Sequence, residues 1–168
     1  MINLGAGKIF CILGGILALV ATLFFSFYSI EVSPGVTGTG YGIGLFLNFV
    51  SIFESGNILA IIFSILYAIG VISGVFILIG AGSRAFAIIG AIFALLLGII
   101  LLLNAGLTIS LGPDIDTTLL SFIADPIVDG ILPFNLPLGL NAMSLGTVLL
   151  VGGGVLGLIG GIIGTSDL

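Results

Sequence analysis

The sequence has 168 residues, of which 60% are hydrophobic and 5% are charged. A soluble domain needs about a quarter of its residues charged, so most of this protein's surface has to face lipid or other protein. A net charge of −5, with two basic residues in all, excludes the lysine and arginine clusters that bind nucleic acid. The chain has no histidine and one cysteine, which excludes the usual imidazole chemistry and intramolecular disulfides.

Four apolar stretches without charged residues are long enough to cross a hydrocarbon core of about 30 Å as helices. In chain order they are residues 9–30, 58–80, 85–110 and 145–164. Backbone groups in lipid have to bond within their own segment, which favours helices, and the alternation typical of barrel strands is missing. The sequence therefore predicts an all-α integral membrane protein with a single membrane domain over residues 1–168. It is a four-transmembrane-helix bundle with two partly helical outer loops, 31–57 and 111–144.

The two basic residues predict the orientation. Lys8 precedes the first helix and Arg84 lies in the short turn between the second and third helices, which places both on the same side of the membrane. The positive-inside rule assigns that side to the cytoplasm. We therefore expect a multi-pass protein of the cell membrane with both termini in the cytoplasm.

The outer loops are unusually apolar. After a turn-forming run at residues 33–42, the first loop predicts a short amphipathic helix over residues 43–53, lying on the membrane surface or on a partner. Its apolar positions, proposed as an outer-loop interface, are Leu45, Phe46, Phe49 and Phe53. The second loop predicts another interfacial helix over residues 117–128 and an extended stretch around Pro133, Phe134 and Pro137.

Small residues recur four apart in every predicted helix, a spacing that lets two helix backbones approach closely in lipid. The positions proposed for helix packing or an interface are Gly70, Gly74, Gly90, Ala94, Gly98, Gly153, Gly157 and Gly161. They predict packing inside the bundle or against a second subunit. The fourth helix is the candidate for a second subunit, because its glycines occupy several faces and one fold has no evident use for all of them.

Few polar groups remain for chemistry. Tyr67 near the centre of the second helix and Asn104 near the outer end of the third are expected to bond a neighbouring helix or backbone carbonyl, and Cys11 is expected to be a buried packing residue. Four aspartates in the second outer loop are expected to form a solvated acidic face, because their spacing fits no calcium loop. They are Asp114, Asp116, Asp125 and Asp129. We predict no catalytic residue, no cofactor and no metal site, and hence no enzyme.

The layout is similar to the tetraspan plan of claudin-type and tetraspanin-type proteins, with four helices, inner ends, a short inner turn and two outer loops. Those families depend on an outer loop bearing tryptophan and cysteine, whereas this chain has no tryptophan and only Cys11, within a helix. The resemblance is one of layout and assigns no family.

The leading hypothesis is a non-catalytic structural or accessory subunit of a membrane protein complex, which packs through its small-residue helix seams and apolar outer loops. Its expected partners are membrane lipid and other membrane subunits or copies of itself. The alternative is a small channel or transporter component. That alternative requires a polar path, for which the candidate residues are Ser64, Tyr67, Ser73 and Asn104.

Overall fold

The computed structural model describes residues 5–34, 36–47, 49–54, 56–107, 109 and 134–164. Four of its helices are long and apolar enough to cross a membrane, so by helix length and composition the chain is a multi-pass membrane protein. These helices are α1 (Ala6–Phe24), α4 (Ile58–Ile79), α5 (Arg84–Leu101) and α6 (Leu145–Ile163). The prediction of a helical membrane bundle is confirmed at this level.

The first helix is shorter than its apolar run predicts, and a β-hairpin follows it. Strand β1 (Tyr28–Ser33) pairs antiparallel with β2 (Val36–Gly40). Residues 25–33 are rich in aromatic and β-branched side chains, which favour strands, and Phe25 already has extended backbone angles (φ −118°, ψ 147°). The prediction of helix over residues 9–30, and of an all-α chain, is corrected here: an apolar run alone does not separate a strand from a helix.

Two short helices replace the single helix predicted over residues 43–53. They are α2 (Gly42–Leu47) and α3 (Phe49–Glu54). Gly56, at φ 68°, follows α3 and donates its N–H to the carbonyl of Phe53. A left-handed residue of this kind ends a helix without steric cost when it is glycine, and it turns the chain into α4.

The other predicted boundaries lie close to the observed ones, except at the end of the third helix. A π-helical turn, Leu102–Gly106, continues α5 and contains Asn104. The chain leaves this turn at Leu107, earlier than the predicted end of the third helix at residue 110. The turn between α4 and α5 spans residues 80–83, as expected for an antiparallel pair.

The four long helices form a four-sided bundle. Each of α1 and α5 packs against both α4 and α6, so α1 lies diagonally opposite α5. Ile77 of α4 is 0% exposed and reaches across the centre to α6, where a Cβ added at Gly157 would lie 2.8 Å from its Cγ2. Leu97 and Leu150 are buried in the same core. Apolar side chains therefore fill the middle of the bundle.

The outside of the bundle is apolar on all four sides. Each long helix turns a stripe of isoleucine, leucine, valine or phenylalanine outward, as lipid-facing helices do. The exposed residues include Ile9, Leu13 and Ile16 on α1, Ile62, Ile65 and Ile72 on α4, Ile89, Ile92 and Leu96 on α5, and Val155, Ile159 and Ile162 on α6. We call the end of the bundle with the β-hairpin and residues 134–144 the hairpin end, and the end with residues 80–83 the turn end.

Candidate functional site

Buried and partly buried polar side chains join three parts of the chain at the hairpin end. Ser26 Oγ lies 2.6 Å from Ser144 Oγ and donates a hydrogen bond of 2.8 Å to Asn135 Oδ1. The amide Nδ2 of Asn135 donates to Ser29 Oγ at 3.2 Å. We call these four residues the serine–asparagine network. They tie the residues after α1 to the start of α6 and to the segment between them.

The three serines of the network are buried, and Asn135 is partly buried. Ser26 and Ser144 are both 0% exposed, and Ser144 Oγ also lies 3.0 Å from the carbonyl of Leu136. Thr147, in the first turn of α6, donates its hydroxyl to the carbonyl of Phe27 at 3.0 Å. Buried hydrogen bonds of this kind hold backbone segments in one arrangement, because breaking any of them leaves an unpaired polar group without water.

Backbone hydrogen bonds reinforce the same junction. Ser26 N–H donates to the carbonyl of Phe134 at 3.1 Å, and Gly146 N–H donates to the carbonyl of Ser26 at 3.1 Å. Leu145 N–H donates to the carbonyl of Leu136 at 3.0 Å. The segment from Phe134 to Leu140, which we call the 134–140 segment, is therefore fixed on the bundle although it is not helical.

The 134–140 segment presents apolar side chains outward. Phe134 is 54% exposed, Leu136 48%, Leu138 39% and Leu140 57%. The side chain of Asn135 points the other way, into the network. Of the extended stretch predicted around Pro133, Phe134 and Pro137, Pro133 lies outside the described residues, and the other two form backbone bridges with Phe25 and Ser144.

The predicted outer-loop interface is only partly described. Phe49 and Phe53 lie on α3, are 41% and 56% exposed, and bring their ring centroids within 5.4 Å of each other. Leu45 and Phe46 belong to α2, and their side chains lie outside the described ones. The four loop aspartates and the helix predicted over residues 117–128 also lie outside the described residues. Within the described part of the chain, no three His, Cys, Asp or Glu side chains group to hold a metal ion.

The predicted packing glycines of α6 all contact other helices of the same chain. A Cβ added at Gly153 would lie 2.7 Å from the carbonyl oxygen of Gly14 on α1, and one at Gly161 would lie 2.7 Å from Ile88 on α5. Gly157 faces Ile77 on α4. The glycines occupy several faces because α6 meets three helices. Gly152 is the exception among the described glycines within α6, because a Cβ there would meet nothing within 4 Å, so the fold uses most of these glycines but not all.

The small residues of α4 and α5 also lie in contacts within the bundle. A Cβ at Gly70 would lie 2.6 Å from Leu97, one at Gly74 2.8 Å from Leu19, and one at Gly90 2.6 Å from the carbonyl of Ser73. A Cβ at Gly98 would lie 2.8 Å from Val151, and Ala94 is 0% exposed. All eight predicted positions thus lie in helix contacts within one chain.

Two of the polar residues considered for a channel path, Tyr67 and Ser73, form hydrogen bonds inside the bundle. Tyr67 donates to the carbonyl of Thr22 on α1 at 2.9 Å, which confirms the expected bond to a neighbouring helix. Ser73 donates to the carbonyl of Gly70 in its own helix. Ser64 is buried, and Asn104 lies in the π-helical turn at the hairpin end. Cys11 is 0% exposed against Gly160, so the expectation of a buried packing thiol is also confirmed.

Sequence reasoning missed the serine–asparagine network. Its members are separated along the chain by up to 118 residues, and serine or asparagine beside a helix end is an ordinary feature of loops. The available signal was weak: Ser26 and Ser29 lie near the end of the run predicted as the first helix, and Ser144 immediately precedes α6. The chain matches no protein-family model, no curated protein and no solved structure, so the site rests on its own geometry.

Proposed function

We propose that this protein is a non-catalytic accessory subunit of a membrane protein complex and that a partner membrane chain docks on the 134–140 segment. The observation that supports it is the exposure of Phe134, Leu136, Leu138 and Leu140 on a fixed, non-helical segment. Apolar side chains grouped on one exposed surface are typical of protein interaction sites.

Contact with lipid is unfavourable for the 134–140 segment because the segment carries backbone polar groups that point away from the bundle. Its hydrogen bonds run toward the bundle, through Phe134, Leu136 and Leu138. On the opposite edge, no described residue bonds the backbone N–H or carbonyl of Asn135 or the carbonyl of Pro137. Unpaired backbone groups in hydrocarbon cost several kcal/mol each, so an extended edge of this kind belongs in water or against protein.

The serine–asparagine network suits the segment to binding. A surface that is already fixed loses little conformational entropy when a partner covers it. The helix seams, by contrast, are filled inside the chain, which leaves the hairpin end as the surface for a partner. The partner is proposed as an unlike membrane subunit or a second copy of this chain.

We also propose the orientation and the membrane. Lys8 lies in the first turn of α1 and Arg84 begins α5, so both basic residues are at the turn end. The positive-inside rule then places the turn end and both termini in the cytoplasm of a cell, with the hairpin end outside.

The test compares two variants of the full chain in its native membrane. The double substitution Leu138→Ser and Leu140→Ser removes apolar surface from the segment, while Ile58→Ser removes it from α4, where the side chain is 71% exposed. Membranes are solubilised gently, and the proteins that migrate with each chain on a native gel are identified by mass spectrometry. Thermal unfolding of each purified variant controls for loss of fold.

The unsubstituted chain and Ile58→Ser are expected to migrate with the same defined set of partners, and the double variant without it. Copies of this chain alone in that set would identify a homo-oligomer. If the unsubstituted chain migrates as a monomer, or if the folded double variant keeps its partners, the proposal is wrong.

A further inference from the structure

The second exposed apolar surface at the hairpin end differs from the first because it is helical. On α3, Phe49, Val50 and Phe53 fall at i, i+1 and i+4, which places them on one face of the helix. They are 41%, 68% and 56% exposed. On the side toward the bundle, Ile52 packs against the buried core. The apolar surface of α3 thus extends beyond the part that contacts the bundle.

We propose that α3 is a membrane-surface anchor: its exposed face lies in the boundary between headgroups and acyl chains of the leaflet at the hairpin end. This inference does not depend on the proposed accessory function, because it concerns a different surface and a different partner, which is lipid.

The position of α3 beside α4 supports lipid as the cover. The two helices pack against each other, and only residues 55–57 separate them along the chain. The first turn of α4 carries Ile58, which is 71% exposed, and the lipid-facing stripe continues from it through Ile62 and Ile65. α3 therefore lies beside the transmembrane helix whose exposed apolar surface begins at Ile58.

The ends of α3 limit its depth. A helix of six residues leaves most of its N–H and C=O groups without intrahelical partners, and these need water or headgroups. Glu54, the last residue of α3, is exposed, and a carboxylate stays out of hydrocarbon. Interfacial helices of this type bury their apolar face about 5–10 Å into the boundary. A shallow position satisfies both the phenylalanines and the polar ends.

The absence of tryptophan from the sequence allows a direct measurement. Phe53→Trp introduces a single indole, and the purified full chain is reconstituted into phosphatidylcholine vesicles with bromine at either a shallow or a deep acyl position. Ile72→Trp, in the middle of α4 and 50% exposed, is the deep control. Leu140→Trp, in the 134–140 segment, is the control for a position outside the hydrocarbon.

We expect a blue-shifted emission from Phe53→Trp, with stronger quenching by shallow than by deep bromine and little quenching by aqueous iodide. Ile72→Trp is expected to show the opposite preference between the two bromine positions, and Leu140→Trp is expected to be quenched by iodide. Phe49→Trp repeats the measurement if Phe53→Trp fails to fold.

Iodide quenching of a folded Phe53→Trp or Phe49→Trp chain, without quenching by either brominated lipid, would overturn the proposal. Because the vesicles contain no partner protein, that result would leave the accessory-subunit proposal intact. Loss of co-migrating partners in the native membrane would in turn leave the lipid anchor intact.

Discussion

Tyr67 of α4 closes the end of α1 by donating its hydroxyl to the backbone carbonyl of Thr22, 2.9 Å away. In a longer helix this carbonyl would accept the N–H of Ser26, but Ser26 N–H bonds the carbonyl of Phe134 instead. The last four carbonyls of a helix lack intrahelical donors, and one tyrosine supplies the missing donor here. The chain therefore leaves α1 for the β-hairpin without a buried unpaired carbonyl at Thr22.

Replacing Tyr67 with phenylalanine should lower the stability of the bundle. Loss of a single interhelical hydrogen bond in a membrane protein costs about 0.6 kcal/mol on average and up to about 1.7 kcal/mol, and the buried site favours the upper part of that range. Tyr41→Phe, at a partly exposed position before α2, is the control. Unfolding of both purified variants in increasing SDS measures the difference, and equal stability would contradict the assigned bond.

The same variant tests the channel alternative. Because Tyr67 is bonded to Thr22 and Ile77 fills the centre of the bundle, we expect vesicles containing Tyr67→Phe to leak small ions no faster than vesicles containing the unsubstituted chain. A difference in flux between these two vesicle preparations would favour the channel or transporter component over the accessory subunit.

Two adjacent glycines of α6 should respond oppositely to alanine. A Cβ at Gly153 would lie 2.7 Å from the carbonyl oxygen of Gly14, so Gly153→Ala forces α1 and α6 apart and is expected to cost about 1–3 kcal/mol. A Cβ at Gly152 would meet nothing within 4 Å. Gly152→Ala should be neutral or stabilise the helix by up to about 1 kcal/mol. Unfolding in SDS compares the two, and similar effects would contradict the packing of α6 on α1.

Removing the amide of Asn135 should release the 134–140 segment. Asn135→Ala removes one acceptor of the Ser26 hydroxyl and the amide donor to Ser29 Oγ, which is expected to cost about 1–3 kcal/mol. Hydrogen exchange should then rise at the N–H groups of Ser26 and Leu145, which pair with the segment.

Asn141→Gly is the control for this change. Asn141 is exposed, its backbone has φ 50°, which glycine also adopts, and its side chain bonds the carbonyl of Gly106 outside the network. Asn141→Gly should leave the hydrogen exchange of the Ser26 and Leu145 N–H groups unchanged. Equal exchange in the Asn135→Ala chain and the unsubstituted chain would show that the network does not hold the segment.

The proposed orientation predicts a labelling pattern. In a Cys11→Ala background, Asn57→Cys, which precedes α4 at the hairpin end and lies outside the 134–140 segment, should react with a membrane-impermeant maleimide on intact cells. Gly82→Cys in the turn between α4 and α5 should react only after the membrane is permeabilised. Both positions are exposed, so access to the reagent decides the result. The reverse pattern would contradict the assignment from Lys8 and Arg84.

Sequence patterns predicted the parts of this fold that depend on local chemistry. The α4 and α6 boundaries follow from long uncharged runs, and Tyr67 was expected to bond a neighbouring helix because a buried hydroxyl needs a partner. The β-hairpin was missed because the residues after Phe24 are apolar enough to continue a helix. The hairpin becomes evident only from the pairing of β1 with β2 in the structure.

The serine–asparagine network could not be predicted because it forms between distant residues. Ser26 and Asn135 lie 109 residues apart, and neither has a neighbour in sequence that predicts the other. The glycine spacing correctly indicated close packing of backbones, yet it carries no information about which helix lies opposite. That information came from the bundle order, in which α6 lies between α1 and α5.

The close approach of α1 to α6 has a consequence for biogenesis. A Cβ at Gly14 would lie 2.6 Å from the carbonyl oxygen of Gly153, and one at Gly160 would lie 2.7 Å from that of Gly7, so glycine lines both sides of this seam. The α1 side of this seam is synthesised before α4 and α5, and the α6 side after them. During synthesis α1 therefore stays without its tightest neighbour until α6 has entered the membrane, and the four-helix bundle closes only after α6 has been inserted.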